Sequence, residues 1–476
     1  MLSNLTKIYQ FQLSSQSLKN NFIQLNLSKY IEEFPKNLKL AYPVMLGQLG
    51  HVLVGLADNI MVGELGPAPL AAVSLANALM FVFLSLGIGF SFAITPLTAE
   101  ADGENDIQKG RTIFQHGIFL SILLGFFICG LLLVSKPLLY YMQQPEEVVL
   151  LAIPYYKVIA FSMIPVMIFQ GFKQFSDGMS LTKYAMQATI IANIINVLFN
   201  YLLIYGKFGF PKLGIVGSAY GTLIARVFMI FLMIFLMRRE VKFLPFLEKF
   251  TFKNIKQKVL KRIFNLGYPT ALQMWFEVTL FASGVFLAGA IGTNTQAANQ
   301  IALNLASMTF MIAVGLGVTA TVRVGNQKGL KNYKELRKIA LSIFLLMMLI
   351  DLVFALGFIS LKNILPTYYI ENQEVIQIAS VLIIIAGFFQ LSDGMQVVVL
   401  GALRGLQDVK LPMLITFTSY WVVGFPICYY LSIHTELKAM GIWIGLLISL
   451  TLSALLLYFR FNYLTKNLIT KHHETT

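Results

Sequence analysis

The stretch "ALQMWFEVTLFASG", residues 271–284, lies within an apolar run from 265 to 289 and carries Glu277 near its middle. An apolar helix of about 20 residues crosses a hydrocarbon core of about 30 Å. A carboxylate at that depth costs about 2.5–3.5 kcal/mol on insertion scales. Composition decides whether this run is a membrane span. The chain has 476 residues, 57% of them hydrophobic and only 12% charged, with a mean hydropathy of +0.72. An ordinary soluble domain is about a quarter charged. Runs like this one recur almost end to end, which makes the chain an all-α polytopic membrane protein.

The pattern predicts twelve transmembrane helices, near 40–63, 73–99, 112–134, 154–172, 185–205, 214–237, 265–289, 299–322, 339–361, 375–401, 411–433 and 439–459. Pro43, Pro165, Pro269 and Pro426 fall inside them, as membrane bundles tolerate. The net charge of +14 does not point to nucleic acid, because the basic residues sit in short links between apolar runs. Residues 1–39 lack the apolar core of a signal peptide and read as a tail. The two cysteines, Cys129 and Cys428, are far apart in predicted spans and make no disulfide framework or metal motif.

With the N-terminus inside, 29 of the 36 Lys and Arg residues face the cytoplasm. Six face outward (Lys136, Lys157, Lys207, Lys212, Lys362 and Lys438) and Arg226 is left within a span. The positive-inside rule therefore places both termini in the cytoplasm. The expected organisation is a cytoplasmic tail at 1–39, a first six-helix lobe at 40–237, a cytoplasmic linker at 238–264, a second six-helix lobe at 265–461 and a cytoplasmic tail at 462–476.

The halves repeat. In one constant register, Tyr42-Pro43 falls on Tyr268-Pro269, Gly63 and Gly66 on Gly289 and Gly292, Gly89 on Gly315, Thr95 on Thr321 and Gly103 on Gly329. A register one position longer brings Gly178, Lys183 and Gly214-Ile215 onto Gly405, Lys410 and Gly441-Ile442. Six spans per half make the repeats parallel, two pseudo-symmetric lobes about an axis along the membrane normal. Such lobes enclose a central cavity suited to alternating access.

Ionisable residues deep in spans are few: His51, Asp58, Arg226, Glu277, Asp351 and Asp393. His51 and Glu277 are repeat mates. Asp58 follows His51 by two helical turns and shares its face. Glu277 and Asp393 can meet only inside the second lobe, where two carboxylates call for a cation or a proton. In the first lobe Asn196 and Asn200 are four apart on one face, and Thr222 is placed to reach them. Amide oxygens, a hydroxyl and a carboxylate are hard ligands suited to Na⁺, which makes Asp58, Asn196 and Asn200 candidate Na⁺ ligands. Helix stitching explains the amides equally well at this level, and Arg226 and Asp351 read first as structural. Phe281, one turn after Glu277, is a candidate cation–π contact in a substrate cavity.

The segments "LAYPVMLGQLGHVLVGLADNIMVGELG", "FSDGMSLTKYAM", "WFEVTLFASG", "RVGNQKG" and "FQLSDGMQVVVLGALRGLQD" resemble the multidrug and toxic compound extrusion (MATE) family, in particular its bacterial NorM-like branch. The likeness is collinear from about residue 36 to 465. It implies export of cationic or amphipathic compounds by an antiporter driven by Na⁺ or H⁺, with no other cofactor and no nucleic-acid partner. The expected setting is a monomer among the lipids of the bacterial cytoplasmic (inner) membrane. The family's acidic and amide positions match Asp58, Asn196, Asn200, Glu277 and Asp393. Where some relatives carry a tyrosine one turn before the last of these, this chain has Phe389, which removes an oxygen from cation coordination; His51, Phe281 and Phe389 are expected at the substrate cavity. A lipid-linked oligosaccharide flippase would call for a cavity rich in Arg and Lys, against the acidic groups here. A membrane enzyme would need an acidic or histidine cluster at a membrane face, and the acidic loop "EADGEND" at 100–106 reads more simply as a helix-capping link.

Overall fold

The computed structural model describes residues 27–142, 144–248, 250–251 and 255–475; most of the expected N-terminal tail and part of the linker lie outside it. Among the described residues, twelve helices are long and apolar enough to span a membrane: α1 Leu27–Gly63, α2 Pro67–Gly103, α3 Ile107–Ser135, α4 Glu146–Gly178, α5 Thr182–Tyr205, α6 Ile215–Arg239, α7 Gln257–Ile291, α8 Thr293–Gly329, α9 Tyr333–Leu361, α10 Gln373–Gly405, α11 Lys410–Ile433 and α12 Ala439–His472. No strand occurs among the described residues. Each expected span has its helix, and most run a turn or more past the apolar stretch. Residues 27–39 belong to α1 rather than to a tail, because Glu33 and Asn37 are buried against Arg323 of α8. The linker carries a short helix at Leu244–Leu247, and α7 begins within its expected range, at Gln257.

Prolines account for the breaks. α2 turns at Phe92–Ala93 and α4 at Ser162. Pro96 and Pro165 lie four and three residues further on, and neither can donate the hydrogen bond a continuous helix needs there. At the second break Ser162 Oγ donates back to the Ile159 carbonyl at 2.7 Å. In α11 the chain widens into a π-helical segment, Thr418–Gly424, just before Pro426. That proline leaves the Val422 carbonyl without its helical donor, and π-turns of this kind cluster at functional sites.

Each lobe has its own core. The first packs around Phe114, Phe169, Phe175 and Met233. The second divides into a layer around Phe389 and Trp443 and another around Ile343 and Phe461. The repeat is visible in the packing. Thr95 Oγ1 donates to the Gln174 carbonyl at 3.0 Å, and its mate Thr321 donates to the Gly401 carbonyl at 2.9 Å. One sequence equivalence shifts: Gly214 precedes α6 with φ +57°, while Gly441 lies inside α12. The packing mate of Gly441 is Gly217, since each rests on a leucine carbonyl of the preceding helix, Leu431 and Leu203.

The lobes meet mainly through α2 with α7 and α8, and α1 with α8. A Cβ on Gly103 would fall 2.2 Å from the Asn326 carbonyl, and one on Gly329 would fall 2.3 Å from that of Glu100. Gly89 lies against the Thr270 carbonyl and Gly315 against that of Ala41. None of these approaches passes the midpoint of its helix, so the molecule is sealed on the side that carries the termini.

Candidate functional site

The first-lobe residues come together as one hydrogen-bonded chain. Asn200 Nδ2 on α5 donates to Asp58 Oδ1 on α1 and, at 3.1 Å, to Asn196 Oδ1. Asn196 Nδ2 donates to Thr222 Oγ1 on α6 at 3.2 Å. Asn200 is fully buried, and its Oδ1 has no donor. Gly221 makes the approach feasible, because a Cβ there would stand 2.0 Å from Asn200 Oδ1. Arg226, one turn beyond Thr222, interacts electrostatically with Asp58 and donates from Nη1 to Ser162 Oγ at the break in α4, 2.6 Å away. Tyr155 on α4 donates to Asn77 Oδ1 on α2 at 3.1 Å. Arg226, the one basic residue that the sequence left inside an expected span, thus acts on the acidic site.

His51 is exposed and borders a small pocket between α1, α4 and α5, lined by Gln48, Lys173, Asp177 and Thr189 among apolar residues. Lys173, half-buried, and Asp177, buried, form an ion pair at 3.0 Å. Sequence reading assigned both to a link between spans; their i, i+4 spacing at the end of an apolar run was the available signal.

In the second lobe Glu277 is half-buried on α7 and Asp393 buried on α10, and the charge of Glu277 acts on Asp393. Phe281 and Phe389, one turn from Glu277 and Asp393 respectively, meet edge to face with centroids 5.9 Å apart. That contact fixes the two carboxylates on facing sides of α7 and α10. Phe389 does not line a cavity as expected. It is 1% exposed because Trp443 closes its other side at 5.5 Å, and Trp443 Nε1 is held by Asn299 Oδ1 at 2.9 Å.

Asp351, on α9, is 2% exposed and acts on Asp393; its Oδ2 presses on α10 where Gly394 leaves room, 2.1 Å from the place of a Cβ. No group of three or more His, Cys, Asp or Glu side chains among the described residues stands close enough to hold a metal ion. Tyr420, in the π-turn of α11, is fully buried within electrostatic range of Glu277 and Asp393, with Gln396 and Ser453 beside its hydroxyl. Nothing in the sequence marked Tyr420, because its position depends on the widened turn.

The family model described as MatE matches residues 43–202 and again 269–430. The two matches begin at Pro43 and Pro269, which are mates in the internal repeat. The chain belongs to the MatE family. It is a multi-pass membrane transporter, not an enzyme. Among its relatives are the Multidrug resistance protein NorM of Vibrio cholerae, 33% identical over 92% of this chain and 97% of that protein, and the Probable multidrug resistance protein NorM of Agrobacterium fabrum, 32% identical over 95% and 98%. The fold matches the crystal structure of the eukaryotic MATE transporter AtDTX14 with a TM-score of 0.82, at 18% identity over 93% of this chain and 99% of that one. It also matches an outward-facing conformation of a multidrug resistance MATE family transporter, with a TM-score of 0.81, at 22% identity over 91% and 96%.

Proposed function

We propose that this MatE member exports cationic and amphipathic small molecules across the bacterial inner membrane by alternating access, taking Na⁺ or H⁺ in exchange. The termini and the sealed side are cytoplasmic in this reading, so the described state opens outward. The observation that carries it is a buried or half-buried acidic site in each lobe of a molecule whose lobes pack closely at the end that carries the termini. Such acids are costly in a bilayer and are retained where they hold cargo. A site that prefers a proton or Na⁺ while facing out, and a lipophilic cation while facing in, produces exchange, since a ligand shifts a conformational equilibrium only through differential affinity. Asp58 with Asn196, Asn200 and Thr222 serves the first lobe, and Glu277 with Asp393 the second.

Ethidium efflux from vesicles tests the reading, with a Na⁺ gradient and a pH gradient imposed separately. Efflux driven by at least one gradient is expected. Transport indifferent to both would remove ion exchange from the account.

A further inference from the structure

Arg404 stands at the seam between the lobes. It lies in the last turn of α10, and its guanidinium covers the ring of Phe92 on α2 with 4.8 Å to the centroid. Phe92 occupies the break in α2. Two residues earlier Phe90 meets Phe264 of α7 at 5.8 Å and packs on Gly267. The remaining attachments of Arg404 are weak. Nη2 donates to Gln273 Oε1 at 3.4 Å, and the buried Nε–H has no acceptor. Gln273 is one turn before Glu277 on α7, and the charge of Glu277 acts on Arg404.

An arginine used only as a staple has its donors satisfied, because an unpaired buried cation is destabilising. Arg404 is instead shared among a ring on one lobe and an amide and a carboxylate on the other. The pull of the carboxylate depends on whether Glu277 carries net charge, and at this depth that pull is not screened as it is in water. The charge of Glu277 also acts on Asp393 of α10 and Tyr420 of α11. The acids of α2, Glu100 and Asp102, are engaged at its far end by Arg262 and Lys242.

We infer that Arg404 is a positioning residue that converts the charge of Glu277 into the strength of the α2–α10 seam. With Glu277 neutralised by its proton or ion, the guanidinium rests on Phe92 and the base stays closed. With Glu277 ionised and empty, the guanidinium is drawn along Gln273 toward it, and the contact with Phe92 loosens. The inference rests on reading Glu277 as an exchange site.

Pulsed dipolar spectroscopy on the full chain in nanodiscs tests it, with spin labels at the exposed Gln108 and Lys334 near the sealed ends of α3 and α9. In the otherwise unsubstituted protein, removing Na⁺ at high pH should raise the ratio of long to short distances about fivefold, the low end of ordinary allosteric coupling. Arg404→Gln should abolish that response, and Phe92→Leu, which keeps the guanidinium, should abolish most of it. Glu277→Gln should hold the short distance in every condition. If Arg404→Gln and Phe92→Leu widen the seam equally in all conditions yet keep the ion response, Arg404 is a plain staple and the inference fails alone. If the parent itself does not respond to Na⁺ or pH, the inference fails together with the exchange reading of Glu277.

Discussion

Asp58 is held by an amide that also holds a second amide, so its two neighbours are not equivalent. Asn200 touches both Asp58 and Asn196, whereas Asn196 hands on only to Thr222. Asn200→Ala should therefore cost more than Asn196→Ala. A hydrogen bond to a charged group is worth about 1.5–3 kcal/mol, and a neutral pair about 1 kcal/mol. The difference should appear in thermal unfolding in detergent and in residual efflux. Asp58→Asn keeps the shape and removes the charge. It should fold normally yet weaken binding of a lipophilic cation about tenfold or more, the equivalent of about 1.4 kcal/mol, as measured by titration of the purified protein. Unchanged binding would make Asp58 a packing group. Helical spacing put Asn196 and Asn200 on one face, and the structure joins them to Asp58 and Thr222 on other spans. The sequence did not show that Arg226 acts on Asp58, since that influence runs from the sixth span to the first and no local spacing links the two.

Glycines decide how closely whole helices approach. Gly221 faces Asn200 so tightly that Gly221→Ala must push α6 from α5, at about 1–3 kcal/mol for overpacking. That variant should lose efflux together with thermal stability, and a smaller residue at 200 should restore part of the stability. At the sealed end of α2, Glu100 is the hub. It is 2.8 Å from Arg262 of α7, 3.6 Å from Lys328 of α8 and 3.0 Å from Gln407 after α10, besides Lys109 in its own lobe at 3.2 Å. Each of the three second-lobe contacts must break before that side can open. Glu100→Gln retains a hydrogen-bonding side chain but loses the charge. It should raise the inward-open population severalfold, and distances between labels at Gln108 and Lys334 would report it. A distribution identical to the parent's would show that backbone packing alone keeps the seal.

Across the molecule, the lobes touch through mates of one repeat. Gly103 meets Asn326 and Gly329 meets Glu100. Gly103 and Gly329 are mates in the repeat register, and so are Glu100 and Asn326. Gly103→Ala and Gly329→Ala insert a methyl group 2.2 Å and 2.3 Å from the facing carbonyls. Both should wedge the same side apart, and by similar amounts, as read by accessibility of cysteines near the seam. A large effect from one and none from the other would mean that the pseudo-symmetry does not extend to the mechanics. Glu277→Gln and Asp393→Asn should each remove the dependence of drug binding on Na⁺ or pH in the purified protein. Binding that still responds to the ion in both variants would move coupling to the first lobe.

The number of spans, their order, the repeat and most acidic positions were legible in the chain because each is a local or periodic property. An apolar run of sufficient length must be helical in lipid, where every backbone group has to be bonded within its own segment. Two halves in one register must fold alike. Only the tertiary structure decided which side is sealed, that Phe389 is a packing ring while Tyr420 is buried within reach of the charges of Glu277 and Asp393, and that Arg404 and Lys173 are drawn into the bundle from apparent links. These depend on where one helix lies against another. That placement is set by glycines that admit a carbonyl and prolines that break or widen a turn, and a linear pattern gives their positions without naming what they will touch.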